Sequence, residues 1–229
     1  MRAAFILGFS IFLAAFSTAA AAAPQSAPQA QIVDAIVARI EDDIITLSEL
    51  RELAAYQQLL DGRSQSNEEL RSELIEQWVV NNEATTARFP LPAGAEVDRE
   101  VGRLENTFAG LAAYQQRLAA VGLTPEAVRR MVIRQIYLAR YLDYKFRSSI
   151  QVTDAAIAGY YRDHLVPELQ AKGQQAPPLS NVTDQIRELL TEQGVNDRTA
   201  AWFDETKPRL KIELEPMDSS PASTPVNQP

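Results

Sequence analysis

LTPEAVRRMVIRQIYLARYLDYKF, residues 123–146, is the stretch that decides the fold class. Thr124 is a helix N-cap, and Pro125 stands at the first helical position, where a missing N–H costs nothing. No glycine and no further proline follows before Phe146. At about 100° per residue, Val128, Met131, Val132, Ala139, Leu142 and Phe146 form one apolar stripe. Ile133, Tyr137, Tyr141 and Tyr144 gather on the opposite side, interrupted by Arg130. A helix that is apolar on two faces is either central to a core or keeps one face for a partner. Tyrosine suits the second role, because it offers a rigid ring with a polar tip. These four residues are the candidate binding face, and burial by neighbouring helices is the competing reading.

Towards the N-terminus the chain is also helical. Thr46-Leu47-Ser48-Glu49 is a capping box, opening a helix that runs to about Leu60 and stops at Asp61-Gly62. Ser66-Asn67-Glu68-Glu69 is a second box, opening a helix through Trp78 to about Arg88. Phe89-Pro90-Leu91-Pro92 ends it, since proline disfavours helix at itself and at the residue before it. Val97, Val101, Leu104 and Phe108 recur at helical spacing. A short helix from about Tyr114 to Val121 closes at Gly122. Beyond Phe146, Thr153 caps a helix to about Asp163, and residues 170–178 read as linker. Ser180 then caps a helix ending at Gly194, another runs from Asn196 to Lys207, and Pro208 releases the chain.

Strand signals are confined to the two ends. Residues 32–40 are rich in β-branched and small apolar types, and Ile44-Ile45 resumes that character after Glu41-Asp42-Asp43. Tight hairpin turns favour Asn or Gly, which accept positive φ, and Glu41 is neither. The last strand signal is Arg209-Leu210-Lys211-Ile212-Glu213-Leu214. Two strands alone are marginal, so this third one is expected to add to the hairpin. The expected fold is mainly α, with a small antiparallel sheet formed by an N-terminal hairpin and the C-terminal strand.

Residues 1–23 read as an export signal: Arg2, an apolar run over 3–16, then small residues suited to cleavage within Ala20-Ala21-Ala22. An uncleaved anchor is the alternative, because the segment is close to the ~20 residues that span a bilayer. Residues 24–31 form a polar leader, 32–215 one domain, and 216–229 a proline-bearing tail expected to be disordered. The chain carries a net charge of −8, and removing the signal takes away Arg2 alone among charged residues. An acidic surface of this kind argues against nucleic acid as a partner. Cysteine is absent, so stability must come from packing, not disulfides.

Catalytic signatures are lacking. The one histidine, His164, lies near a helix end, where it favours the negative terminus. A catalytic role requires a nucleophile or metal partners, and Asp163 is adjacent, not one turn away. Asp42-Asp43 and Glu68-Glu69 fit a turn and a helix first turn. Asn181-Val182-Thr183 matches a glycosylation acceptor, but a helix start accounts for Asn181. No phosphate loop, Gly-x-Ser-x-Gly or dinucleotide-binding pattern occurs. No cofactor and no metal site is expected.

One set of motifs, taken in order, has a familiar arrangement. Val37-Ala38-Arg39-Ile40 precedes the turn and Ile45-Thr46-Leu47-Ser48-Glu49-Leu50 follows it. Leu123-Thr124-Pro125-Glu126, Arg140-Tyr141-Leu142-Asp143, and Val152-Thr153-Asp154 with Tyr160-Tyr161 complete it. Over residues 32–214 the chain resembles the chaperone part of the SurA/PpiC group of exported folding factors. In that group a parvulin prolyl-isomerase domain usually sits where this chain has only the short linker 165–179. An independent domain needs at least ~50 residues, and the paired histidines of the parvulins have no counterpart here. The resemblance implies a periplasmic, ATP-independent holdase for unfolded outer-membrane or secreted polypeptides, with no membrane attachment beyond export. A residual prolyl isomerase and an adaptor for one folded partner are the alternatives.

Overall fold

The computed structural model describes residues 34–217. The expected export segment, the leader and the tail beyond residue 217 lie outside the described residues. Strands β1 (Ile36–Ile40) and β2 (Asp43–Thr46) form an antiparallel hairpin. Glu41 in its turn takes a left-handed φ of 51°. It is held there from the far end of the chain. Its N–H donates to the Lys211 carbonyl at 2.9 Å, and its carboxylate accepts from the Lys211 N–H at 2.9 Å. Those two bonds offset the strain of a non-glycine residue in this region. Strand β3 (Ile212–Leu214) then pairs antiparallel with the other edge of β1, giving the order β2-β1-β3.

The other elements among the described residues are helices, so the fold is mainly α with a small three-stranded antiparallel sheet. Helix α1 (Leu47–Asp61) starts at the Thr46–Glu49 capping box and stops at Gly62, which has a φ of 75°. Helix α2 (Asn67–Thr86) starts at the Ser66–Glu69 box. Helices α3 (Gly94–Asn106) and α4 (Leu111–Val121) follow, the latter beginning three residues ahead of Tyr114. Helix α5 (Pro125–Phe146) is capped by the Thr124 hydroxyl, which accepts from the Ala127 N–H at 3.1 Å. Helix α6 (Asp154–Tyr160) is capped in the same way by Thr153.

Three expectations are corrected. The helix after Thr153 does not stop near Asp163. It passes through a π-helical turn (Tyr161–Leu165) into α7 (Val166–Ala171). Pro167 explains the widened turn, since its ring would clash with the Asp163 carbonyl and it has no N–H to donate there. Ser180 is not a cap: its hydroxyl meets the Asn181 side chain, and Pro178 precedes the last helix. That helix, α8 (Leu179–Thr206), runs unbroken through Gly194. A Cβ at Gly194 would meet Ile150 Cγ2 at 2.7 Å. The glycine is there because α8 lies against Ile150, not because a helix ends.

Two apolar cores result among the described residues. The larger joins Val37, Ala38 and Ile40 of the sheet to α1, the first half of α2, α4 and the first half of α5. The smaller lies between Val80 and Ala84 of α2 and Tyr137, Leu138 and Tyr141 of α5, with Trp202 and Phe203 of α8 against it.

Removing residues 210–229 is expected to lower the melting temperature by about 10 °C or more, because β1 loses a partner and the turn its clamp. Removing only residues 218–229 is expected to leave it unchanged. Equal midpoints for the two truncations would refute the dependence of the fold on β3.

Gly194→Ala separates close packing from helix propensity. Alanine inside a helix gains about 1 kcal/mol, whereas overpacking costs about 1–3 kcal/mol. The expected result is a lower melting temperature, partly restored by adding Ile150→Ala. A rise in melting temperature for the single variant would mean that Ile150 yields freely.

Candidate functional site

The second half of α5 and the second half of α8 lie side by side and leave an open groove of about 750 Å³. Ala139, Leu142 and Tyr144 line it from α5, Val195 from α8, and Phe89 from the segment after α2. Its volume lies within the range of ligand clefts. Tyr144 is 69% exposed, the most solvent-open aromatic side chain among the exposed large apolar residues.

The expected binding face divides. Ile133 is half-buried and packs against the larger core. Tyr137 and Tyr141 are buried in the smaller core, at 7% and 5% exposure. Only Tyr144 of the four faces the groove, and it is joined there by Ala139 and Leu142 from the stripe expected to be core. The two faces of α5 thus exchange roles along its length. The cause lies on α2, whose Val80 and Ala84, with Phe89 beyond them, cover Tyr137 and Tyr141.

The buried tyrosines position the groove instead of lining it. The Phe89 ring lies 5.9 Å from Tyr137, 5.4 Å from Tyr141 and 5.3 Å from Tyr144, centroid to centroid. Tyr141 donates its hydroxyl to Glu83 at 3.0 Å, and Lys145 donates to the same carboxylate at 2.5 Å. The Lys145 ammonium also sits 4.8 Å from the Trp202 ring centre, in cation–π range. Burial, together with the Glu83 hydrogen bond and charge, pushes the Tyr141 phenol up to about 12.

Charged side chains, Arg140 and Asp143, also line the groove. Arg140 pairs with Glu96 at 3.1 Å, and its guanidinium lies 5.9 Å from the Phe89 ring centre. Arg147 bonds Asp143 at 3.0 Å and also reaches Glu188 on α8, tying α5 to α8. His164 lies elsewhere, stacked on Tyr160 with ring centres 5.1 Å apart. Among the described residues no three His, Cys, Asp or Glu side chains converge as metal ligands. No helix among them is long and apolar enough to cross a membrane.

Sequence reasoning missed Phe89, which read only as the end of a helix, and Val195 with its neighbours on α8. The latter were hidden because the helix was divided at Gly194. Reading one continuous helix would have kept Val195, Trp202 and their neighbours in phase and disclosed a shared face.

The raised phenol makes a testable link to stability. Tyr141 has a higher pKa folded than its ordinary value of 10, so its contribution is complete below pH 10 and is lost as pH rises towards 12. Tyr141→Phe is therefore expected to lose less melting temperature between pH 10 and 12 than the parent chain. Parallel losses would show that Tyr141 carries no such linkage. In comparisons with known proteins, no family model matches this chain and no curated protein sequence matches it.

Proposed function

We propose that this chain is an ATP-independent holdase, exported to the periplasm, that binds unfolded outer-membrane or secreted polypeptides and catalyses no reaction on them. The observation that carries the reading is the open groove holding Phe89 and the largely exposed Tyr144. An aromatic ring with a polar edge binds apolar side chains of varied shape and tolerates nearby backbone polarity. The groove is open on one side, so an extended chain can enter without opening a lid. Its walls are buttressed by Tyr137, Tyr141 and the Lys145–Glu83 pair, so little ordering entropy is lost on binding. The resemblance of residues 32–214 to exported chaperones points the same way, as does the export-like N-terminal sequence.

The test is suppression of aggregation when a urea-unfolded outer-membrane β-barrel protein is diluted without ATP. The parent chain is expected to suppress it at near-stoichiometric amounts. Tyr144→Ser combined with Ala139→Glu removes an exposed ring and crowds the groove from two exposed positions. That variant is expected to lose most of the effect with a melting temperature within about 2 °C, as is usual for surface changes. Exchange of a proline peptide in the same solution is expected to stay at its uncatalysed tens to hundreds of seconds. No suppression by the parent chain, or undiminished suppression by the variant, would reject a holdase acting through this groove.

A further inference from the structure

The groove beside Tyr144 has a neighbour. A second groove of about 270 Å³ lies between α2 and α8, against Glu76, Phe203 and Lys207, and both are lined by Asn196 and Thr199. Glu192, Asn196, Thr199 and Phe203 recur at helical spacing, so they share one side of α8, and Lys207 follows in the 3-10 turn directly after it. From Glu192 to Lys207 that track is about 22 Å long at ~1.5 Å per residue. About seven residues of extended chain cover the same distance.

Thr199 stands where the two grooves meet. Within the body of α8, Thr183, Thr191 and Thr199 stand eight residues apart. Thr183 and Thr191 donate their hydroxyls to the carbonyls of Leu179 and Arg187, each at 2.8 Å. Thr199 is only 9% exposed, and its hydroxyl has no hydrogen-bond partner among the described residues. A buried hydroxyl left unpaired is unfavourable. Threonine in a helix has two accessible χ1 wells, so a change of rotamer, about 120°, presents the hydroxyl to a polar group laid on the groove floor.

The charges along the track are unequal. Its cations are already engaged, Arg140 with Glu96 and Lys207 with Glu76. Asp143 is held by Arg147. Glu192 on the first groove and Asp204 on the second are exposed and have no ion-pair partner among the described residues. They leave one open acidic position near each end, on a chain whose net charge is already −8.

We infer that this track binds one extended, cationic polypeptide segment of about seven residues. An apolar side chain enters at each end, beside Tyr144 and beside Phe203. The main chain between them hydrogen-bonds to Thr199, and basic residues meet Glu192 and Asp204. The inference rests on the polypeptide-binding reading above and specifies which segments are taken.

Two fluorescein-labelled seven-residue peptides test it, each with phenylalanine at its second and sixth positions, one flanked by lysines and the other by glutamates. Anisotropy titration of the full chain at low salt is expected to give about tenfold tighter binding of the lysine peptide. The ratio is expected to fall to about one in Glu192→Gln/Asp204→Asn. Thr199→Val is expected to weaken both peptides alike, by about three- to tenfold, without lowering the melting temperature, since it deletes an unpaired hydroxyl. Equal binding of the two peptides, unaffected by the acid substitutions, overturns the charge selection while leaving polypeptide binding intact. Unchanged affinities in Thr199→Val overturn the main-chain anchor. If neither peptide binds while aggregation suppression persists, clients sit elsewhere and the inference falls without the holdase reading. If the chain self-associates on sedimentation and binds neither peptide, a second copy occupies the track and the inference is likewise rejected.

Discussion

Strand β1 is paired on both sides, and one of its partners comes from the other end of the fold. The Arg39–Glu215 contact joins residues 176 apart in sequence. Closing a loop of that length costs about 4–5 kcal/mol of chain entropy by the logarithmic rule. Val37, Ala38 and Ile40 of β1 are buried, with Ala38 and Ile40 fully so, and complete burial of one aliphatic side chain returns about 1.5–3 kcal/mol. Without β3 these residues would face an open edge. Every helix between the strands is therefore enclosed in a loop whose two ends are fastened together, and the strained Glu41 turn is part of the fastening.

Within that enclosure α5 does the dividing. Its first half completes the core that contains the sheet, and its second half completes another with α2 and α8. The exchange of roles between its two faces follows from this, because α5 passes from one set of neighbours to the next. Close approach of α8 to Ile150 is possible only because residue 194 has no side chain. The groove is the space that remains where α8, held by Arg147 and Glu188, runs past Ala139 and Leu142. Exposed ion pairs are individually weak, at most about 1 kcal/mol. Here they set the position of a helix more than they add to its stability.

The parts of the fold legible in sequence are those decided locally. Thr46, Ser66, Thr124 and Thr153 announce helix starts because a side-chain oxygen must satisfy a nearby N–H, and all four cap in the structure. The end-to-end sheet was legible because a lone strand is unstable anywhere else. What escaped depends on distant neighbours. Gly194 has an ordinary helical backbone, and only Ile150, brought there by folding, explains it. Pro167 widens a helix instead of ending it, since the chain on both sides can continue helical. Tyr141 and Tyr144 are the same residue type, three apart, yet one is buried and the other open. Nothing local distinguishes them; the cover over Tyr141 comes from Phe89 and α2.

The two tryptophans fall one to each core. Trp78 packs against the core that contains the sheet, and its indole N–H donates to Asp43 at 2.9 Å. Trp202 belongs to the other, between Phe146 and Phe203 and under the Lys145 ammonium. An indole bonded to a carboxylate and an indole beneath a cation sit in opposite local fields. The molecule thus contains two native fluorophores in separate electrostatic settings, one reporting on the fastening of the chain ends and the other on the base of the groove. Loosening of either region registers in emission without any label being attached.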